Sequence, residues 1–235
     1  MAYKSWPLGE IPKELQRPEL DIIKTMGYNW EDPRDVVDMF EKKVARFAGS
    51  KYAVAVDCCS HGLFLSLKYL QHIGELNQTD TLTIPSRTYI SAALQIQHAG
   101  CVVSYEDIEW SGIYQFKPSR VWDGAVRWTK DMYVGNNAFQ VVSFQTKKRI
   151  PIGKGGIILT DEESAYRWLK LASYDGRDLT TKYTDSNHFH MAGYHMYMTP
   201  EDAARGIILM DSINGDIYED SGNHLTYTNI SNLKF

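Results

Sequence analysis

The chain has 235 residues and a formal net charge of -4 at pH 7, with an ordinary composition for a globular protein. This length allows one sizeable core, so we expect one main domain with an appendage rather than two full domains. The negative charge argues against nucleic acid as the main partner, because a surface that follows phosphates carries a basic excess. Small molecules are the favoured partners.

Cysteine usage and the N-terminal residues predict the compartment. Cys58, Cys59 and Cys101 have no paired spacing, so the sequence predicts neither a disulfide framework nor a zinc site. Residues 1–10 are polar and lack the apolar segment of a signal peptide, and no run of about eighteen apolar residues suits a membrane span. We therefore expect a cytoplasmic protein without a membrane partner.

Strand and helix patterns alternate at short intervals along most of the chain. The first helix is expected from Asp32 as N-cap, with Pro33 at the first helical position and Gly49 closing it. The strands predicted after it are 52–56, 81–85, 101–105, 121–123, 138–144 and 155–160. The predicted helices among and after them are 61–72, 90–99, 161–174 and 199–210. This alternation predicts an α/β fold with a mainly parallel sheet and crossover helices.

The two ends of the chain have weaker patterns. Residues 1–31 hold several prolines and one short apolar pattern, and they predict an arm that packs on the body or on a second subunit. Residues 175–197 are polar and irregular. The last residues, 215–235, are polar without a clear period and predict an extended tail.

One lysine-rich turn between two apolar runs, within residues 141–160, is a candidate for chemistry. Neighbouring positive charge and partial burial both favour the neutral amine that attacks carbonyls, so a lysine of this turn is a candidate nucleophile. A solvated basic turn is the alternative for this stretch alone. A nucleotide P-loop is excluded, because Gly155 follows Lys154 where Ser or Thr would bind magnesium.

Polar residues follow several predicted strands, at the ends where parallel α/β sheets bind ligands. They lie at 57–60, 86–89, 123 and 143–148. The turn before the helix at about 61 offers free backbone N–H groups and a positive dipole end, which suit a phosphate, and Ser60 adds a hydroxyl. Alternatively, Ser60 is only a helix cap, Asp123 a strand-end cap and Tyr89 a core residue.

Four motifs in order resemble the DegT/DnrJ/StrS family of PLP-dependent sugar aminotransferases. They are the helix and strand at 40–56, Pro85-Ser86-Arg87-Thr88-Tyr89, the strand entry at 99–103, and Ser143-Phe144 followed by Lys148 and Gly153-x-Gly155-Gly156. The resemblance covers about residues 35–210. It implies a fold-type-I large domain at 32–190, shortened around 105–123, and a reduced small domain with 191–235 as a remnant helix and tail.

The resemblance also assigns the residues that handle pyridoxal phosphate (PLP). It implies that Lys148 forms a Schiff base with PLP and moves the proton between cofactor and substrate carbons. Asp123 would face the pyridine nitrogen and keep the ring protonated, which makes the ring an electron sink. Tyr89 would stack on the ring face.

The same resemblance assigns the phosphate site and a second subunit. It implies that Cys59 and Ser60 hold the phosphate through backbone N–H and hydroxyl, with Ser143 adding a hydroxyl. His195 stands where relatives have an asparagine that reaches the phosphate of the neighbouring subunit. An imidazole also donates hydrogen bonds, so a homodimer with a shared site is expected.

The implied function is transfer of an amino group from an amino acid, as in relatives L-glutamate, to a keto group of a nucleotide-linked sugar. One alternative is a PLP-dependent sugar dehydratase; those relatives carry His at the lysine position, so Lys148 disfavours it. The other is a noncatalytic PLP- or sugar-binding protein. Positions Cys58, Val126, Lys154 and Tyr197 depart from the family pattern. The shortened span 105–123 and the reduced small domain put the sugar-nucleotide pocket in doubt more than the cofactor chemistry.

Overall fold

The structure, a computed structural model, describes residues 12–178, 189–212 and 222–233. Parts of the predicted arm, of the irregular stretch and of the predicted tail lie outside the described residues. The helices are α1 (Glu19–Thr25), α2 (Asp35–Ala48), α3 (Cys59–His72), α4 (Ile90–His98), α5 (Glu163–Ser173) and α6 (Pro200–Ser212). The strands are β1 (Tyr52–Val56), β2 (Thr81–Pro85), β3 (Val102–Glu106), β4 (Tyr114–Gln115), β5 (Val121–Asp123), β6 (Phe139–Ser143) and β7 (Gly156–Thr160).

The strands form a five-stranded sheet in the order β1-β7-β6-β5-β4 and a two-stranded parallel ribbon of β2 and β3. The ribbon joins the β4 side of the sheet, because Thr83 and Lys117 exchange backbone hydrogen bonds of 2.8 and 3.0 Å. Helix α3 connects β1 to β2, and α4 connects β2 to β3. The predicted α/β class and its crossover helices are confirmed.

The strand directions correct the expectation of a mainly parallel sheet. In the described sheet β7 runs antiparallel to both β1 and β6, β4 runs antiparallel to β5, and only β5 and β6 pair in parallel. The reason is the connections: β6 reaches β7, and β4 reaches β5, through loops without a helix, which bring the chain back beside itself in the opposite direction. Strands β1, β5 and β6 still share one direction, so their carboxyl ends lie at the same edge.

Apolar side chains on the two faces of the sheet build two cores. Along β1, Val54 and Val56 pack with α3 and α5, whereas Ala53 and Ala55 pack with α2 and α6. This alternation follows from the two-residue period of a strand. The sheet is therefore covered by helices on both faces. Among the helices of the described residues, none combines the length and apolar character that a bilayer crossing requires.

Two helix boundaries and one loop differ from expectation. Helix α2 starts at Asp35, because Asp32 accepts a hydrogen bond from the Arg34 backbone N–H (2.9 Å) and thereby holds a turn before the helix. Helix α3 starts at Cys59, two residues earlier than predicted. Residues 106–119, for which the sequence predicts no regular element, contain the last residue of β3, then β4, and no helix. Strand β4 forms a hairpin with β5, the strand that ends in Asp123.

Candidate active site

A cavity of about 580 Å³ opens at the edge where β1, β5 and β6 end. Six of the seven residues singled out in the sequence line it, contributed by α3, the start of α4, β5, β6 and the loop between β6 and β7. They are Cys59, Ser60, Tyr89, Asp123, Ser143 and Lys148. The fold therefore gathers residues that lie up to 89 positions apart in the chain, and it does so because three strands share one direction.

Asp123, the last residue of β5, is a buried carboxylate at this cavity. Its Oδ1 accepts a hydrogen bond from the Ala125 backbone N–H (2.9 Å), and its Oδ2 accepts one from the Tyr114 hydroxyl (2.7 Å). Burial raises the pKa of Asp123, while these two bonds and the nearby charge of Lys148 act in the opposite direction. Asp123 is thus more than a strand-end cap, because it lines the cavity and lies near the charge of Lys148.

Lys148 lies in the loop between β6 and β7. The base of this loop is closed by backbone hydrogen bonds from Phe144 N–H to Gly155 O (3.0 Å) and from Gly153 N–H to Phe144 O (3.2 Å). A turn bond from Lys148 N–H to Gln145 O (2.8 Å) fixes its backbone, and its side chain is half-buried. Its charge acts on both Cys59 and Asp123, which places the amine among the cavity residues.

The N-terminus of α3 forms another wall of the cavity. Cys58 is the N-cap, and its Sγ accepts from the His61 backbone N–H at 3.5 Å. Cys59 and Ser60 are the first helical residues, whose N–H groups have no carbonyl partner inside a helix. Burial raises the pKa of the Cys59 thiol well above its usual range, so the thiol stays neutral and Cys59 offers its backbone N–H. This wall suits an anionic group such as a phosphate.

Tyr89 has a side chain that is free to meet a ligand. It precedes α4, lines the cavity and is 61% exposed, so it is not the core residue that was one alternative. Ser143, in contrast, is buried at the end of β6, and its hydroxyl accepts a long bond from Gln145 N–H (3.4 Å). Both positions fit the roles that the resemblance implied.

His195 is the predicted site residue that the structure does not bring to the cavity. Its Nδ1 lies 3.1 Å from Asp175 Oδ2, its ring meets Tyr197 edge to face, and its side chain is 71% exposed. It does not line the cavity of its own chain. If His195 contributes to such a cavity, the cavity has to belong to a second copy of the chain.

A charged group at the cavity rim was not predicted. Asp57 Oδ1 lies 2.6 Å from His61 Nδ1, and Asp57 Oδ2 lies 3.1 Å from Lys154 Nζ. The hydrogen bond with Asp57 raises the pKa of His61 to about 10, so the imidazole is positive at neutral pH. Asp57, Cys58 and His61 place possible metal ligands within 4.8 Å of one another. However, the Lys154 ammonium and the positive end of α3 both disfavour a cation there.

Sequence reasoning also missed the residues that support Asp123 and cover the cavity. Tyr114 and Trp110 come from the irregular stretch before β5, and Tyr227 comes from the patternless segment 222–233. The rings of Trp110 and Tyr227 stack at 5.6 Å, and Ile230 N–H bonds to Ser86 O (2.8 Å), so this segment is fastened beside the cavity. Thr88 also lines the cavity, and it lies in the sequence motif at 85–89. Tyr114, Trp110 and Tyr227 lie in no motif or periodic pattern that could have indicated them.

The donor set fits pyridoxal phosphate. A buried carboxylate suits the ring nitrogen, the start of α3 suits the phosphate, a half-buried amine suits the aldehyde, and an exposed aromatic ring suits the ring face. Lys148, Asp123 and the α3 start line the same cavity of about 580 Å³, a size in the range of cofactor sites.

Comparison with known proteins agrees with this fit to pyridoxal phosphate. The model of the DegT/DnrJ/EryC1/StrS aminotransferase family matches residues 17–123 and 124–230. A curated relative is the spore coat polysaccharide biosynthesis protein SpsC of Bacillus subtilis (strain 168), which is 24% identical over 80% of this chain and 59% of its own length. The chain thus spans about three fifths of the length of the curated relatives it matches, 59% and 60%.

Solved structures match as well. AtS13 from Actinomadura melliaura has a TM-score of 0.67 at 18% identity, over 91% of this chain and 69% of that one. The E. coli GDP-4-keto-6-deoxy-D-mannose-3-dehydratase with bound hydrated PLP has a TM-score of 0.63 at 16% identity, over 83% and 64%. At such identities the likeness establishes the fold.

Proposed function

Because this chain belongs to the DegT/DnrJ/EryC1/StrS aminotransferase family, we propose that it binds pyridoxal phosphate and transfers an amino group from an amino acid, L-glutamate, to a keto group of a nucleotide-linked sugar. The observation that carries the proposal is the presence of Lys148 and Asp123 at one cavity, with the charge of Lys148 acting on Asp123. A cytoplasmic location is part of the proposal and rests on the three free cysteines.

Each residue has a role that its surroundings support. PLP supplies an aldehyde and a ring that withdraws electrons from the reacting carbon. Lys148 Nζ would hold the aldehyde carbon, with the aldehyde oxygen leaving as water, and, once displaced by the substrate amine, would move the proton between cofactor and substrate carbons. Asp123 would accept a hydrogen bond from the protonated ring nitrogen, the first turn of α3 with Ser60 would bind the phosphate, and Tyr89 would cover the ring face.

A homodimer with a shared site is the proposed assembly. His195 is exposed and lies outside the cavity of its own chain, so its imidazole is accessible to a second subunit. The proposed role is a hydrogen bond or ion pair with the phosphate bound to the partner.

Two alternatives have support of their own. A sugar dehydratase is favoured by the TM-score of 0.63 with the E. coli dehydratase, and it is disfavoured by Lys148 at the position where such relatives carry His. A noncatalytic binder is favoured by Val126 and Lys154, two residues of the cavity lining that depart from the family pattern. The set of Lys148, Asp123 and Tyr89 at one cavity opposes it.

The test is to trap the attached cofactor and to follow its spectrum. Purified protein is incubated with PLP, reduced with borohydride, digested and examined by mass spectrometry. The adduct is expected on Lys148, to be lost in Lys148→Ala and to persist in the adjacent-lysine control Lys147→Ala. An adduct on another lysine, or none, contradicts the proposal.

Addition of L-glutamate then separates the three functions. An aminotransferase converts the aldehyde form of the cofactor to the amine form and releases 2-oxoglutarate, with ping-pong kinetics when a keto sugar nucleotide follows. A spectrum that ignores every amino acid favours the binder. Release of water from a sugar nucleotide without amino transfer favours the dehydratase.

A further inference from the structure

Tyr114 is a buried hydroxyl that neither the sequence motifs nor the proposed roles include. It lies on β4, opposite Asp123 in the antiparallel pairing of β4 with β5, and only 5% of it is exposed. Its hydroxyl oxygen is 2.7 Å from Asp123 Oδ2 and 2.5 Å from Thr88 Oγ1. Thr88 is also buried. Three polar groups therefore form a chain that ends at the cavity.

The direction of these hydrogen bonds follows from the charge of the last group. An ionised carboxylate only accepts hydrogen bonds, so the Tyr114 hydroxyl donates its single proton to Asp123. Its oxygen is then an acceptor, and the Thr88 hydroxyl donates to it. A protonated Asp123 removes this constraint, since the carboxyl would itself become a donor. The chain thus favours the ionised state of Asp123.

We propose that Tyr114, held by Thr88, is a positioning residue that keeps the Asp123 carboxylate ionised and fixed at the cavity. Its importance for amino transfer rests on the proposed function, but the coupling of the two side chains does not. Each carboxylate oxygen accepts more than one hydrogen bond, so Asp123 retains capacity for a ring N–H after the bonds from Tyr114 and Ala125 are made.

Electrostatics support the geometry. Burial raises the pKa of Tyr114 well above its usual range, so its hydroxyl stays protonated and remains a donor at neutral pH. Three further titratable groups face Asp123: Cys59 on α3, Lys148 in the loop after β6, and Tyr227 in the segment 222–233. Lys148 lowers the pKa of Asp123, but its amine has another role in the proposed reaction. The Tyr114 hydroxyl, in contrast, takes no other part in the proposed reaction.

The first test needs no cofactor. The protein is labelled with 13C at aspartate carboxyls, the Asp123 signal is identified by its loss in Asp123→Asn, and it is titrated in wild type, Tyr114→Phe and Thr88→Val. Loss of a hydrogen bond to a charged group implies that the acid ionisation constant of Asp123 falls about tenfold or more in Tyr114→Phe. A smaller change in the same direction is expected for Thr88→Val.

The matched control is Tyr69→Phe, which removes a buried tyrosine hydroxyl that bonds to Glu162 and Ser164, away from the cavity. It should leave the Asp123 titration unchanged. An unchanged Asp123 titration in folded Tyr114→Phe overturns the proposal, whether or not PLP binds. If Tyr114→Phe does not fold, Thr88→Val decides alone, and an unchanged titration there likewise overturns it.

The second test uses protein loaded with 15N-labelled PLP. The chemical shift of the ring nitrogen reports its protonation directly, and the protonated fraction should fall in Tyr114→Phe but not in Tyr69→Phe. The kcat of amino transfer should fall about tenfold while KM for the amino acid changes little, because ring protonation acts on the chemical step. If PLP does not bind the wild-type protein, the proposed function is contradicted, whereas the result of the Asp123 titration remains valid.

Discussion

Gly156, the first residue of β7, lies directly against the backbone of Cys59 at the start of α3. A Cβ at Gly156 would be 2.5 Å from Cys59 N and 2.7 Å from Cys58 C. In the sheet, Gly156 also pairs with Val56 on one side and Ser143 on the other. A residue without a side chain is what lets the start of α3, the proposed phosphate site, pack onto the edge where β1 and β6 end.

Gly156→Ala should therefore damage both the fold and the cofactor site. The obstructing atoms are backbone, so the helix start has to shift, and a loss of about 1–3 kcal/mol in the free energy of unfolding is expected, as for other overpacked sites. PLP affinity should fall as well. Denaturant unfolding and a PLP titration measure the two effects.

Gly222→Ala is the control for this substitution, because a Cβ there meets Val126 at an ordinary 3.4 Å. It should change the free energy of unfolding by less than about 0.5 kcal/mol. Equal behaviour of the two variants would show that the contact with Cys59 is unimportant.

Lys170 on α5 pairs with the buried Glu41 on α2. Its Nζ lies 2.8 Å from Glu41 Oε2 and 2.7 Å from Asp38 Oδ1, and Glu41 Oε1 accepts from the Ala55 backbone N–H in β1 (2.8 Å). Lys170→Met leaves Glu41 buried without its cation, so a loss of about 3–5 kcal/mol is expected at neutral pH.

The pH dependence of that loss has a definite sign. Burial raises the pKa of Glu41 to about 7 even beside Lys170, and removal of the ammonium raises it further. A carboxyl with a folded pKa above its unfolded value is stabilised in the folded state when protonated. Once Glu41 is protonated in both proteins the ammonium no longer matters to its charge, so the deficit of Lys170→Met should be largest at alkaline pH and should shrink as the pH falls to about 7.

Urea unfolding of both proteins between about pH 6 and 9, which spans the Glu41 pKa of about 7, checks this prediction. Arg167→Met, which breaks an exposed pair with Glu163 on one face of α5, is the control and should cost less than about 0.5 kcal/mol. A deficit for Lys170→Met that stays constant across this pH range would count against an ionised, buried Glu41.

Asp57→Asn should return His61 to ordinary behaviour. The hydrogen bond with Asp57 raises the pKa of His61 from 6.5 to about 10, so the amide should bring it back toward the lower value. In wild type this group stabilises the fold fully below pH 6.5, and the contribution is lost as the pH rises through about 10. His61 is partly exposed, so the stability effect is small and NMR titration of the imidazole is the better measurement.

The control is Asp161→Asn, because Asp161 accepts a hydrogen bond from the Lys51 backbone N–H. It should leave the His61 titration as in wild type. An imidazole of His61 that titrates near 6.5 in wild type would contradict the pairing with Asp57.

Mixing two inactive variants tests the shared site. Lys148→Ala removes the amine and His195→Ala removes the proposed phosphate contact from the partner, so each homodimer should lose most of its activity. In an equal mixture that exchanges subunits, about a quarter of the sites contain both wild-type residues. Activity should recover to about that fraction, whereas a site built within one chain would show no recovery.

The local elements of this fold were readable in the sequence. Strand 52–56 and strand 81–85 were predicted at their observed bounds, because short apolar and β-branched runs between polar breaks have few other solutions. The motif residues at strand ends were likewise predicted as neighbours. Their meeting at one cavity needed only that β1, β5 and β6 share a direction, which the alternation of strands and helices favoured.

Strand direction elsewhere, and the surroundings of Asp123, were decided by the tertiary structure. A helix-free connection returns a chain antiparallel, and neither the hairpin of β4 and β5 nor the loop after β6 has a sequence period that announces this. Tyr114 reaches Asp123 because β4 pairs with β5, and Tyr227 reaches the cavity because backbone hydrogen bonds join segment 222–233 to Trp110, Gly112 and Ser86. Sequence periodicity records which face of an element is buried, whereas contacts between distant side chains depend on how the elements pair, and pairing leaves no local pattern.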